Sequence, residues 1–403
     1  MRRRFRRAGV GACAAIGIFA AMPADAAPRA PVGREARAWQ ALVVEAEAAQ
    51  AAGDWARVEK ASRKRAAIEE RNYGPDAQVT AASWSWIGQA LVRRGRDADA
   101  EPWFRKALAV HRKALAANDP QTLIAIANLA ALLERRGRFD EAEPLRRELH
   151  VAGRGQFGER SAAAAAAAGA LADVLRALGR AGEAEPLYRQ ALEIDTRLAG
   201  ENDPRVAADL GSLAAALDDL GRHPEAEPLH RRALAIRRQT FGERDAATAQ
   251  AYARVAANLD AQGMHALAEP LHRLALATDR DVRGPKHPAT AADAAALGAN
   301  LTAQGKAAEA EPLLRDALQI RRKALGEAHA DTGASYGALG DAMAALGKSR
   351  EAETLHRKAL NIVRTAQGPR ATATATFYAS LAGDLLKRER FAEAEALLTT
   401  TLD

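Results

Sequence analysis

The 403-residue chain has a single cysteine, Cys13, and aromatic residues make up only 4% of it. A lone thiol excludes an intrachain disulfide framework and a thiolate metal centre, so stability has to come from packing. With so few rings, a core drawn from the 48% of hydrophobic residues is built mainly from Ala and Leu, both strong helix formers. Catalytic signatures are lacking as well. There is no HExxH arrangement around His265 and His272, no GxSxG elbow and no phosphate-cradling glycine loop. His230, His272 and His356 share one register with Phe104 and Tyr188, which points to packing, and helices one repeat apart are about 8–10 Å from one another, too far to share a metal. The chain therefore reads as non-catalytic, without cofactor or metal.

The N-terminus stands apart. MRRRFRR is a basic segment, AGVGACAAIGIFAAM an apolar one, and PADA, ending at Ala26, a small-x-small cleavage site. Together they predict a secretory signal peptide over residues 1–26, too short for a stable membrane span, followed by a linker over residues 27–35. The expected location is secreted or periplasmic. Cleavage removes five Arg and one Asp, lowering the formal charge from +7 to +3, and takes Cys13 with it. The basic balance is thus no argument for a nucleic-acid partner, and no basic amphipathic helix remains to hold a membrane surface.

What the chain does have is repetition. The string EAEPLYRQALEI at Glu183 recurs with variations, placing prolines at 102, 144, 186, 228, 270 and 312, each 42 residues after the last. Seven residues before each proline stands a glycine, and the same register carries Gly53, Gly347 and finally Glu389, so residues 36–403 form about nine units. The run before each glycine holds an i, i+4 apolar stripe, such as Leu171 and Leu175 or Leu213 and Leu217, which predicts a first helix capped by that glycine. Beside the stripe one position holds only Gly or Ala, from Gly88 to Ala382, as close helix packing requires. The proline then predicts a position in or near the first turn of a second helix, where no intrahelical hydrogen bond is lost. Glu185 and Arg189 typify an i, i+4 pair repeated in seven units, each worth roughly 0.2–0.5 kcal/mol.

The pattern L-A/G-x-x-L-x-x-x-G-R-x-x-E-A-E-P-L-x-x-R-A-L, followed by L-G-x-x-H-P-x-T, resembles the 42-residue tetratricopeptide repeats of kinesin light chain type. The resemblance implies an all-α fold, a right-handed α-solenoid superhelix of tandem helix-turn-helix repeats whose first helices line a concave groove for a partner peptide or protein. In such relatives the groove carries Asn and basic residues. Asn128 matches one Asn position, while Trp86, Ala170, Ser212, Arg254, Ala296, Ala338 and Ser380 occupy the same register, so no Asn ladder runs through the array.

Helical spacing from the buried stripe gives the inward positions. The candidate partner-binding residues are Trp86, Gln89, Arg93, Asn128, Arg135, Asp173, Arg176, Asp218 and Asp260, basic toward Arg93 and Arg135 and more acidic from Asp173 onward. A solvated face without ligand is the competing reading. All five tryptophans fall in the first 103 residues; Trp84 and Trp55 replace core residues of other units, whereas Trp86 replaces small or polar ones and is the better contact candidate. The expected function is that of an exported interaction scaffold or adaptor. The alternative is a structural envelope protein that self-associates through its last repeat, where no polar cap follows Leu397, Leu398 and Leu402.

Overall fold

Alanine, leucine and paired charges at helical spacing leave the backbone little alternative to helix, and the glycines decide where each helix stops. The structure, a computed structural model, describes residues 31–368 and 372–399. The signal-peptide reading of residues 1–26 and the terminal Leu402 lie outside the described residues. Among these there are eighteen α-helices and no strand. They fall into two units, residues 1–136 and 137–403.

The first unit contains α1 (Arg34–Ala51), α2 (Trp55–Tyr73), α3 (Gln78–Arg93), α4 (Asp97–Ala114) and α5 (Pro120–Arg135). The second contains α6 (Phe139–Phe157), α7 (Ala162–Ala177), α8 (Ala181–Ala199), α9 (Pro204–Asp219), α10 (His223–Phe241), α11 (Ala246–Ala261), α12 (His265–Val282), α13 (Pro288–Ala303), α14 (Ala307–Leu325), α15 (Ala330–Ala345), α16 (Ser349–Gln367), α17 (Thr372–Lys387) and α18 (Phe391–Thr399). Within each unit every helix packs on the next in the chain; α7 also contacts α9, α11 contacts α13, α13 contacts α15 and α15 contacts α17, while α9 and α11 are joined by the Asn258–Asp218 hydrogen bond. This is the expected all-α stack of helix-turn-helix repeats.

The stripes are buried as the periodicity predicts. Leu171, Leu213, Val255, Leu297 and Leu339 are 1–3% exposed, and their i+4 partners Leu175, Leu217, Leu259, Leu301 and Met343 are 0–1% exposed. The small register beside them is explained by what faces it: a Cβ on Gly88 would come 2.6 Å from Phe104, and one on Gly298 2.6 Å from Leu314. Gly179, with φ at 74°, turns the chain between α7 and α8 in the left-handed region. Glu389 takes that conformation at φ 58° in the same register, with a side chain that L residues rarely place there.

The prolines sit deeper than predicted. Helix α8 begins at Ala181, so Pro186 is its sixth residue, and Pro102, Pro144, Pro228, Pro270 and Pro312 are likewise inside their helices. The reason is that the turn after each glycine is very short: Arg180 already accepts backbone hydrogen bonds from Glu183 and Ala184, which starts the helix early. The prolines that open helices are instead Pro120, Pro204 and Pro288, behind the N-caps Asp119, Asp203 and His287, and Pro224, the second residue of α10.

The Glu–Arg pairs form, at 2.7 Å for Glu185 and Arg189 and 2.8 Å for Glu269 and Arg273. Their glutamates also hold the turn of the following repeat, through Arg222 to Glu185 at 2.7 Å, Lys306 to Glu269 at 2.7 Å and Lys348 to Glu311 at 3.0 Å. The side chains are part-exposed, so each bond adds little alone, but each spans a repeat boundary.

Two substitutions test this packing. Gly88→Ala is expected to destabilise the first unit by about 1–3 kcal/mol through its clash with Phe104, measured by chemical denaturation. Replacing Glu389 by Gly is expected to add roughly 0.5–1 kcal/mol to the last hairpin, read as slower hydrogen exchange in α17 and α18.

Candidate functional site

In the first unit the candidate residues are engaged with their own scaffold. Trp86, on α3, is half-buried; it packs against Ala49, Val58 and Ala90 and borders a crevice of about 10 Å³, room for one water, beside Arg65 and Glu47. Its ring fills a gap that smaller residues would leave, so it is less available than its register implied. Arg93 lies over the Trp55 ring at 5.3 Å from its centre. Arg135 donates to Asp97 at 3.0 and 3.3 Å, and Gln89 and Asn128 are half-buried, the Asn128 amide nitrogen finding no acceptor. Trp84 is core as expected, 5% exposed, with its indole N–H on Glu70 at 3.0 Å.

In the second unit α7 contacts α9, and α11 meets α9 through the hydrogen bond from Asn258 to Asp218. On α7 the spacing i, i+4, i+7 puts Gly169, Asp173 and Arg176 on one side, and on α9 it aligns Gly211, Ala215 and Asp218. No atom stands within 4 Å of a Cβ built on Gly169 or Gly211. Over Gly337 on α15 the equivalent space is taken by the Phe377 ring, so the low face is open at α7 and α9 and filled at α15. Around the open part, Asp173 accepts from the Tyr188 hydroxyl at 2.6 Å and Arg176 donates to Asp219 at 2.6 Å. Arg254, half-buried on α11, makes no hydrogen bond or ion pair among the described residues. Burial lowers its pKa, and the Arg176 charge lowers it further. Burial raises the Tyr188 pKa well above the usual phenol range, with the Asp173 charge adding to it.

Asp218 and Asp260 are the centres of a repeated network. Asp218 accepts from His223 Nδ1 at 3.0 Å, His230 Nε2 at 2.8 Å and, from the next repeat, Asn258 Nδ2 at 2.6 Å. Asp260 accepts from His265 at 2.9 Å, His272 at 2.7 Å and Asn300 at 2.6 Å. Burial raises both carboxyl pKa values, but these hydrogen bonds outweigh it and leave both below the ordinary range. The two carboxylates are thus committed to joining repeats. Composition alone does not reveal this; the recurrence of Asp, His, His, Asn and Gln at 218, 223, 230, 258 and 262 and again 42 residues later does.

Sequence spacing missed two carboxyl pairs. Asp209 faces Asp195 and Asp293 faces Asp279, each pair joining the second helix of one repeat to the first helix of the next, and one oxygen on each of the four carboxyls accepts no hydrogen bond. The Asp209 carboxyl is pushed up to about 7 by burial and then by the charges of Asp195 and Asp173, with Arg205 opposing. Asp293 is pushed up to about 7 by burial and by Asp279, with Arg283 opposing. Each pair is arranged to share a proton. His356 is held between Asp384 at 2.5 Å and Asp341 at 3.1 Å; burial lowers its pKa, but the two carboxylates outweigh burial and raise it.

Models of the tetratricopeptide repeat match residues 79–149, 163–239, 208–281, 247–323, 291–365 and 331–403. The chain belongs to the tetratricopeptide repeat family. No curated protein matches it. Among solved structures, the repeats are similar to the quorum sensor NprR of B. thuringiensis, with TM-score 0.65 and 13% identity over 89% of this chain and 99% of that one. Aspartyl phosphate phosphatase F from Bacillus subtilis matches with TM-score 0.57 and 12% identity over 93% and 95%. A kinesin light chain TPR-like repeat protein of Podosopora anserina gives TM-score 0.43 and 25% identity over 50% and 96%. At these identities the first two likenesses show the shared fold alone.

The buried groups make stability depend on pH in a defined sense. Asp209 and Asp293 have folded pKa values raised from 3.8, so the stability they contribute is complete below about pH 4 and is lost as pH rises through about 7. His356, also raised, acts in the same direction. Asp218 and Asp260, lowered, contribute above the ordinary carboxylate value and lose that contribution in acid. Melting temperature is expected to fall between about pH 5 and pH 9, and less steeply in an Asp209→Asn/Asp293→Asn variant. Equal slopes would show that the pairs do not carry the effect.

Proposed function

We propose that this protein is an exported, non-catalytic interaction scaffold that holds an extended or helical segment of a partner protein against the first-helix face of its second unit. The observation that supports the reading best is the open face over Gly169 and Gly211, bordered by Asp173, Arg176 and the unpaired Arg254. Two glycines at which an added Cβ would meet no atom let a ligand backbone approach closely, and charged groups beside them supply orientation. Export rests on the three-part N-terminal sequence.

Self-association through the last repeat has less support. Leu397 packs on the cluster of Leu360, Tyr378, Leu381, Ala382, Leu385 and Ala394, leaving Leu398, 39% exposed, as the described remainder of that face.

Affinity capture of the tagged protein from its host's envelope fraction, beside a Gly211→Trp variant, tests the groove. A Cβ on the buried Gly211 meets no atom within 4 Å, so the fold, checked by circular dichroism, is expected to persist while a wild-type partner is lost. Recovery of the same partners by both proteins counts against the groove, and recovery from the cytosol alone counts against export.

A further inference from the structure

In the second unit the second helices carry a column of charges toward the next repeat's first helix: Asp195, Arg237, Asp279 and Arg321 share one register. At the register opposite stand Asp209, Ala251, Asp293 and Ser335. Three residues of the column find a partner there. The two acids pair with Asp209 and Asp293, and Arg321 donates to the Ser335 hydroxyl at 2.8 Å. Opposite Arg237 stands Ala251, whose methyl group accepts nothing. The one hydrogen bond of Arg237 among the described residues, at 3.2 Å, goes to the backbone carbonyl of Ala247, one turn earlier on α11.

A second arginine adjoins it. Arg254 is three residues beyond Ala251 on the same side of α11, at a register where every other repeat of the second unit has Ala or Ser. Both arginines are half-buried, and neither forms an ion pair among the described residues. Burial lowers the pKa of each; the Arg254 charge lowers that of Arg237 further, and the Arg176 charge does the same to Arg254. The acids that oppose this are already engaged. Asp218 holds His223, His230 and Asn258, Asp173 holds the Tyr188 hydroxyl, and Asp245 caps α11 through the Ala247 N–H at 2.7 Å. Two adjacent, partly desolvated guanidinium groups without a carboxylate of their own are costly in the free protein, and an incoming anion relieves that cost.

We infer that Arg237 and Arg254 form an oxyanion-binding site beside the first-helix groove, and that it takes a carboxylate of the partner segment. The site rests on the groove reading above and gives it a charge preference. Asp218 and Asp173, whose charges act on Arg254, stand on α9 and α7, so the site adjoins the face left open at Gly169 and Gly211. The planar guanidinium fork matches a carboxylate through two parallel hydrogen bonds.

Fluorescence anisotropy of fluorescein-labelled hexaglutamate, titrated with the full chain to about 1 mM beside Arg254→Ser and Arg237→Gln, tests it. Serine occupies the register of Arg254 in the preceding repeat, and glutamine keeps a donor for the Ala247 carbonyl, so both variants, checked by circular dichroism, are expected to fold. The expected result is wild-type binding that weakens with added salt and at least about tenfold in either variant, with no binding of hexalysine. No wild-type binding, equal binding by the variants, or equal binding of hexalysine would each overturn the inference. Displacement of the peptide by equimolar inorganic phosphate would assign the site to a small free anion and overturn its assignment to a partner segment. Gly211→Trp separates the site from the groove. If it alone loses the peptide, the arginine site falls and the groove stands; if only the arginine variants lose it, the site stands and the groove falls.

Discussion

Each hairpin in this chain has an apolar face that only the neighbouring hairpin can cover, and the rest of the structure follows from that dependence. It sets the residues of the contact: leucines at i and i+4, alanine or glycine where another side chain presses, as Leu314 presses on Gly298. It also requires that any polar group admitted to the boundary find a partner there. The glutamate ladder meets the requirement at the edge of the contact, where Glu185 bonds within its own helix and to Arg222 of the next repeat.

Deeper in, the boundary is met by two different chemistries. Asp218 and Asp260 are ionised and fully supplied with donors from two repeats, which fixes register between neighbours in a way that apolar contact cannot. In Asp195 with Asp209, and Asp279 with Asp293, one oxygen of each carboxyl lacks a donor, and a shared proton satisfies the pair instead. One group of joints therefore favours the charged form and the other the neutral form, so the array as a whole is most secure at intermediate pH.

The sequence made the fold legible because it states the same hairpin about nine times, and coincidence in one copy is cancelled by the others. The proline position was misjudged because a helix start depends on how tightly the preceding turn closes, and Arg180 closes it within a few residues of Gly179. The site was less legible. Spacing put Asp218 on the correct side of α9, but whether a carboxylate there is free or already bonded depends on Asn258, forty residues away and on another helix. Trp86 was read from what it replaces, whereas its surroundings, Ala49 and Val58, come from α1 and α2. Long-range polar pairing is visible in sequence only when both partners recur together.

The bivalent glutamates carry one more implication. Because Glu185, Glu269 and Glu311 each draw one partner from their own helix and one from the turn beyond it, the 42-residue segment contains half of two junctions and the whole of none. Copying such a segment in tandem reproduces every junction without altering a residue, while inserting any other length strands a carboxylate. The chain is thus built to lengthen by whole repeats, and its size is a quantity that can change in one step without a new contact having to be invented.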